Sequence, residues 1–236
     1  MTQPFRRETI YQSSHWSGVR LKLEEDRIEM TLPQLMHTLS SCVLPGGFSY
    51  ANNIVNWKVP LHYNCTDPIA DLEQQCANWG FNPSNTVGFI TAAKLTHASI
   101  IEHEGDHFRL LCCTTVGTRN AARAGLPREV YSAYTAGTIN TIVAIDGQMT
   151  QSAMVNAVIT ATEAKAAALQ ELAIVERISG EIATGTTTDA IAICVSQHSS
   201  WNAVHAYAGA ATSIGCAIGE AVYKSVIEAG GTQDEV

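Results

Sequence analysis

Four short runs of the chain, at 86–93, 108–116, 138–145 and 190–195, are apolar and rich in β-branched residues at nearly every position. Such density belongs to a buried strand, because a strand with one wet face would alternate apolar and polar residues. A sheet made of such strands has to be covered, and the sequence supplies the cover. Thr150 stands as an N-cap before a helical stretch to about Ile174, between the third and fourth runs. A last helix is expected over 208–228. A short one begins at Asp67, with Leu72, Cys76 and Trp79 at helical spacing and Gly80 as its stop. Near the N-terminus, residues 19–23 and 27–31 flank a polar turn and read as a hairpin, and 39–44 is a further apolar run closed by Pro45-Gly46-Gly47. Gly147 is expected to end the third buried strand.

The fold class predicted is α+β, with mixed sheets packed against helices as a four-layer α/β/β/α sandwich. No linker, low-complexity block or charge run interrupts the 236 residues, so one domain over 1–236 is expected. The net charge of −8, with 14 basic residues spread thinly, removes nucleic acid and anionic membranes as partners. Only 15% of residues are charged, so much of the surface is mildly polar or covered in an oligomer; a homodimer stays open. The opening MTQPFRRETIYQ lacks the apolar core of a secretory leader. The low-charge stretch 203–222 contains His205 and Glu220 and reads as a buried helix rather than a membrane span. Seven cysteines, an odd number without C-x-x-C pairs, read as free thiols, and a cytoplasmic location follows.

Several constellations could carry chemistry. His103-Glu104-Gly105-Asp106-His107 satisfies the H-E-x-x-H zinc pattern, but Gly-Asp between two strand-like runs makes it a hairpin turn. The G-x-x-x-G at 215–219 is a packing feature. Lys165 shares a helical stripe with Met154, Val158, Ala161, Leu169 and Leu172, while Glu163 points roughly opposite. A lysine on a core-facing stripe needs a carboxylate, a shifted pKa or a route to solvent; a packed stem with its ammonium at an edge is the alternative. Thr184-Gly-Thr-Thr-Thr-Asp189 precedes a buried strand, and Asp189 could pair with Lys165 or act as a base, or the loop could be a self-bonded turn. Thr115, Gly117, Thr118 and Asn120 form a similar loop able to supply a nucleophile or an oxyanion donor, and Asp146-Gly147 closes a third strand. No G-x-S-x-G elbow, Walker loop or Rossmann fingerprint occurs.

Six segments in fixed order, TVGFITAAK (86–94), TVGTRNAARAG (115–125), GTINTIVAIDG (137–147), TEAKAAAL (162–169), ATGTTTDAIAI (183–193) and IGEAVYKSV (218–226), resemble the adenosylcobinamide amidohydrolase family. Fainter agreement reaches LSSCVLPGG and NNIVNWKV. AYAGAATSIG departs from the Gly-Pro-His-Thr-like turn of that family: Ala210, Ala211 and Thr212 stand there. The stretch 138–195 is also similar in pattern to the aminopeptidase and ornithine-acetyltransferase group, which stacks two sheets between helical layers.

The resemblance implies hydrolysis of the amide that links cobyric acid to aminopropanol in adenosylcobinamide, with the corrinoid as substrate and no firmly implied cofactor or metal. Within it, we expect Lys165 and Asp189 to tune protonation, Thr115 or Thr118 to act as nucleophile or water orienter, and Asn120 to polarise the carbonyl. Gly117, Thr186, Thr187, Thr188, Glu163 and Asp146 are expected at the substrate. A non-catalytic corrinoid carrier and an amidohydrolase for another amide are the rivals.

Overall fold

The structure is a computed structural model that describes residues 2–127 and 137–235. Its strands are β1 (Ile10–Gln12), β2 (Arg20–Leu23), β3 (Arg27–Ser40), β4 (Gly47–Lys58), β5 (Thr86–Thr91), β6 (Ser99–Gly105), β7 (Phe108–Val116), β8 (Ala121–Ala122), β9 (Ile139–Met149), β10 (Gly185–Thr186), β11 (Ala190–Val195) and β12 (Val204–His205). The helices are α1 (Pro68–Asn78), α2 (Gln151–Glu171) and α3 (Ser213–Thr232). Each helix opens on an N-cap side chain, from Asp67, Thr150 and Thr212, which accepts a backbone N–H of its first turn.

Among the described residues, ten strands form one sheet with the path β1-β2-β3-β11-β9-β7-β6; β4 continues from β3 to β5, and β12 extends β9. β9–β11 and β4–β5 are parallel pairs, and α2 makes the crossover from β9 to β11. Side chains on β7, β9 and β11 alternate between two cores. Leu110, Cys112, Val143, Ile145, Ile193 and Val195 pack under α2 and α3. Their neighbours Leu111, Cys113, Ile142, Ala144, Ala192 and Cys194 pack against Leu21, Ile28, Met30, Ile54, Val87 and Phe89 from β2 to β5. These strands lie far along the sheet from β7 and β9, so the sheet curls until its two halves face each other across this second core. The long hairpin β3–β4 forms the corner. Its register shifts between Thr31 and Met36, where Pro33, which has no N–H to give, sits in the bulge. On the outer side of the β4–β5 half, Leu72 and Cys76 of α1 pack with Leu44 near Trp57 and Ile90. Helices thus pack on the β4–β5 part of the curled sheet and on its β7–β9–β11 part.

Several boundaries differ from the sequence expectation. The run at 39–44 is not a separate strand: β3 continues to Ser40 and then breaks. β9 passes through Gly147 to Met149, because a bare Cα suits this point; a Cβ there would stand 3.3 Å from that of Phe108. The last helix starts at Ser213, since the segment before it runs over α2: Thr160 Oγ1 donates to the Ala208 carbonyl at 2.7 Å. Gly215 lies so close to this segment that a Cβ would fall 2.1 Å from the Gly209 oxygen, and Gly219 faces Thr160 of α2. The H-E-x-x-H segment is the β6–β7 hairpin, with His107 at φ +60° in its turn and His103 bonded to Glu220. All seven cysteines are free, and no helix is long and apolar enough to cross a membrane among the described residues.

The N-terminal segment is fastened by one carboxylate. Glu102 of β6 is 6% exposed and accepts hydrogen bonds from Tyr11 Oη (2.8 Å), Ser14 Oγ (2.8 Å) and the backbone N–H groups of Ser14 and His15 (3.2 Å). Burial works to raise its pKa, but the donors outweigh that and hold it below the usual carboxylate value. The folded state therefore binds this proton less readily than the unfolded chain. The stability gained is complete above the ordinary Glu value of about 4.3 and is lost as pH falls below it. We expect Glu102→Gln, whose amide N–H₂ cannot accept, to cost about 2 kcal/mol at pH 7 and to flatten the acid limb of a urea-midpoint profile.

Candidate active site

Where α2 passes over the start of β11, the two charged groups singled out in the sequence meet. The Lys165 ammonium contacts the Asp189 carboxylate, and the two side chains are 14% and 15% exposed. Lys165 arrives from the stripe of α2 that faces the sheet, along with Val158 and Ala161. Asp189 is set at the mouth of β11 by the Gly/Thr loop. Its other acceptor positions are filled as well: Thr186 gives both its backbone N–H (3.0 Å) and its hydroxyl, and Ile139 at the start of β9 gives its N–H at 3.0 Å. Four donors saturate a carboxylate. A lysine ammonium has three protons, and the contact with Asp189 uses one of them.

Lys165 and Asp189 line a cleft of about 160 Å³ with Ser41, Ile139, Thr141, Val158, Ala161, Thr162, Ala190 and Ile191. Its walls are thus mostly apolar, with hydroxyls and one ion pair. Ser41 Oγ accepts the N–H of Ile191 at 3.1 Å and keeps its own proton free to donate. Gly185 is required beside the pair. A Cβ there would lie 2.4 Å from Asp189 Oδ2 and 2.8 Å from Lys165 Nζ.

The remaining expected residues sit at graded distances from this pair. Thr188 bonds the Gly137 carbonyl (2.8 Å) through its hydroxyl, and Thr187 Oγ1 accepts from Asn120 Nδ2 at 2.7 Å. The 115–122 loop and the 184–189 loop are joined by this bond and by the two-residue β8–β10 pairing. Gly117 lies at the end of β7, its N–H on the Thr138 carbonyl at 3.0 Å. Asn120 Oδ1 is buried beside Gly137 and makes no hydrogen bond.

Thr115 and Thr118 face elsewhere. Thr115 Oγ1 is buried between the sheet halves, where it accepts from Asn56 Nδ2 at 2.9 Å. Thr118 donates its backbone N–H (2.9 Å) and hydroxyl (3.0 Å) to Gln233 Oε1 just past α3. Neither hydroxyl contacts Lys165 or Asp189, so the structure does not bring these two nucleophile candidates to the pair. Glu163 is exposed on α2. Asp146 lies six residues along β9 from Asn140, roughly 20 Å away, where it accepts from Ser196 Oγ at 2.8 Å and pairs with Arg109. These two acids are not part of the cleft.

Sequence reasoning missed the polar seam behind the cleft. Asn140 Nδ2 donates to Asn56 Oδ1 (2.9 Å) and to the Ile90 carbonyl (3.0 Å), which ties β9 to β4 and β5 across the sandwich. Thr138 Oγ1 lies 3.4 Å from Asn140 Oδ1 and donates to the Thr188 carbonyl at 2.8 Å, and so reaches the loop that carries Asp189. The signal was an asparagine inside a covered strand, which cannot be left without partners. Among the described residues, no group of three His, Cys, Asp or Glu side chains is placed to hold a metal ion.

Removing the centre of this seam strands the Asn56 Oδ1 and Ile90 carbonyl acceptors in a dry interior. Asn140→Ala is expected to cost about 2–3 kcal/mol in urea unfolding, whereas Asp146→Asn, at the far end of the same strand, should leave turnover unchanged.

Comparison with known proteins gives this arrangement a context. The family model described as adenosylcobinamide amidohydrolase matches residues 12–236. An uncharacterized protein of Methanocaldococcus jannaschii is 30% identical over 210 residues, which cover 80% of this chain and 81% of that protein. The adenosylcobinamide amidohydrolase of Methanosarcina mazei is 29% identical over 189 residues, 78% of this chain and 84% of its own. A crystal structure of a Pyrococcus horikoshii protein aligns with 89% of this chain and 77% of its own at 11% identity, with a TM-score of 0.40. On the match of nearly its whole length to the family model, the chain belongs to the adenosylcobinamide amidohydrolase family.

Proposed function

We propose that the chain hydrolyses the amide between the corrinoid side arm and aminopropanol in adenosylcobinamide, giving adenosylcobyric acid and free 1-aminopropan-2-ol. The observation that carries this reading is the part-buried Lys165–Asp189 pair, set at the wall of an otherwise neutral cleft. Amide hydrolysis has two electrostatic demands. The carbonyl oxygen gains negative charge as the attacking oxygen adds, and the leaving nitrogen must acquire a proton. The two unengaged protons of Lys165 meet the first demand by hydrogen-bonding the oxygen that becomes the oxyanion.

Asp189 meets the second through Thr186, whose hydroxyl already donates to it. As water adds to the carbonyl carbon, its proton passes to the Thr186 oxygen while the Thr186 proton moves to Asp189. The same relay returns a proton to the nitrogen when the C–N bond breaks. One water is consumed, and one carboxylate and one ammonium leave. The neutral, hydroxyl-lined walls suit a substrate whose rim is made of carboxamides, which hydrogen-bond without a charged partner.

Mass spectrometry of the purified protein incubated with adenosylcobinamide should show adenosylcobyric acid. Lys165→Met and Asp189→Asn are each expected to lower kcat by about a hundredfold or more, with far-UV circular dichroism unchanged. Asp189 keeps three donors when Lys165 is lost, so the fold should survive. Full turnover in Lys165→Met would remove the ion pair from the mechanism, and tight binding without any product would make the protein a carrier.

A further inference from the structure

The cleft at Lys165 is too small for the whole of the proposed substrate. Sites that enclose drug-sized ligands span roughly 300–1,000 Å³, and this one holds about 160 Å³. It fits the side arm and its amide; the macrocycle has to lie outside, against whatever surface adjoins the opening.

That surface can be traced strand by strand. Ile191 and Ser41 form one wall of the cleft and are hydrogen-bonded to each other across β11 and the end of β3. Two residues further along, Ile193 of β11 is paired with Leu39 of β3, and Leu39 with Phe48 of β4. In the next row Val195 is paired with His37, and His37 with Tyr50. Directly paired residues point to the same face, so both rows lie on the face that carries α2 and α3.

The helices cover only part of this face. Ile193 and Val195 are buried beneath them, Leu39 is half-buried at their margin, and Phe48 and Tyr50 are 52% and 58% exposed. The Tyr50 ring meets the His37 ring edge to face at 4.8 Å between centroids, which holds it in place on the strand. Val155 and Ile159 of α2, on the helix that lines the cleft, are exposed as well. Leu39, Phe48 and Tyr50, with the exposed His37 among them, thus make a largely apolar shelf that adjoins the cleft through Ile191 and Ser41.

We propose that this shelf seats the corrin macrocycle, with Phe48 and Tyr50 in contact with its flat face while the amide arm descends to Lys165. This rests on the functional reading above and adds its binding half. Phe48 and Tyr50 are then specificity residues: they discriminate an amide arm borne on a corrin macrocycle from a small amide bearing the same arm.

The test uses Phe48→Ser, Tyr50→Ser and the double variant, each at exposed positions where the fold should tolerate the change. Ile69→Ser, an exposed apolar position on α1 in the other outer layer, serves as control. Affinity for adenosylcobinamide is read by calorimetry on a Lys165→Met background, where turnover does not interfere, and KM and kcat are read on the active protein. We expect the double variant to weaken binding and raise KM by about tenfold or more. Hydrolysis of N-(2-hydroxypropyl)acetamide, which carries the arm without the macrocycle, should be unaffected by it, and the control should behave as wild type.

Wild-type affinity and KM in the double variant would overturn the shelf alone, since the parent protein would still bind and cleave. A change in sedimentation with corrinoid affinity intact would assign the face to a second copy of the chain and likewise overturn it. A parent protein that neither binds nor cleaves adenosylcobinamide would overturn the functional reading, and the shelf with it.

Discussion

A carboxylate almost removed from water has to be surrounded by donors, and Asp189 takes its four from three separate parts of the chain. Lys165 comes from the second half of α2, Ile139 from the first residue of β9, and Thr186 from the loop before β11. Each of these is packed within its own element, and Asp189 joins them at one point. Held by it, the mouth of the parallel pair β9–β11 and the helix that connects them form one unit. The penalty for leaving either charge of a pair like this alone in a poorly solvated site exceeds what the intact pair contributes, so the geometry is fixed chiefly by the cost of its alternatives.

The second fixed point is made of neutral groups. Asn140, Asn56, Thr115 and Thr138 form a polar seam in an otherwise apolar interior, and it crosses from one sheet half to the other. Apolar side chains would let the halves slide, because burial is non-directional. Amide hydrogen bonds have direction, so they set the register between layers that no backbone ladder joins at this point. Thr138 also bonds the Thr188 carbonyl, and the position of the loop that carries Asp189 is thereby referred back to the core.

The sequence disclosed elements whose pattern is local. The strands at 108–116 and 190–195 have their expected bounds, the short helix starts next to Asp67, and the cap at Thr150 is where side-chain chemistry placed it. The contact of Lys165 with Asp189 was legible from a helical wheel and the need of a buried ammonium for a partner. What failed to show was non-local. β3 reads as two pieces, since Pro33 and the bulge interrupt its pattern, and only pairing with β4 on both sides of the bulge makes it one strand. The start of α3 was set too early because Ala and Gly around 208–211 look helical until Gly209 is seen against Gly215. Thr115 and Thr118 were singled out for their hydroxyls, and their distance from the Lys165–Asp189 pair was not legible. Their partners, Asn56 and Gln233, lie 59 and 115 residues away, and local reading has no access to them.

The facing of the two sheet halves also bears on how the chain is made. Synthesis delivers β2 to β5 first, with Ile28, Met30, Ile54 and Phe89 aimed at a core whose other wall belongs to β7, β9 and β11. β3 acquires β11 as a neighbour only after about 150 further residues have left the ribosome. At translation rates of roughly 5–20 residues per second, that apolar wall stands open for about 8–30 seconds. An edge strand and a bare hydrophobic face are together what holdase chaperones recognise and what aggregation exploits. Demand for such protection during synthesis is therefore written into the order of the strands, independently of how stable the finished protein is.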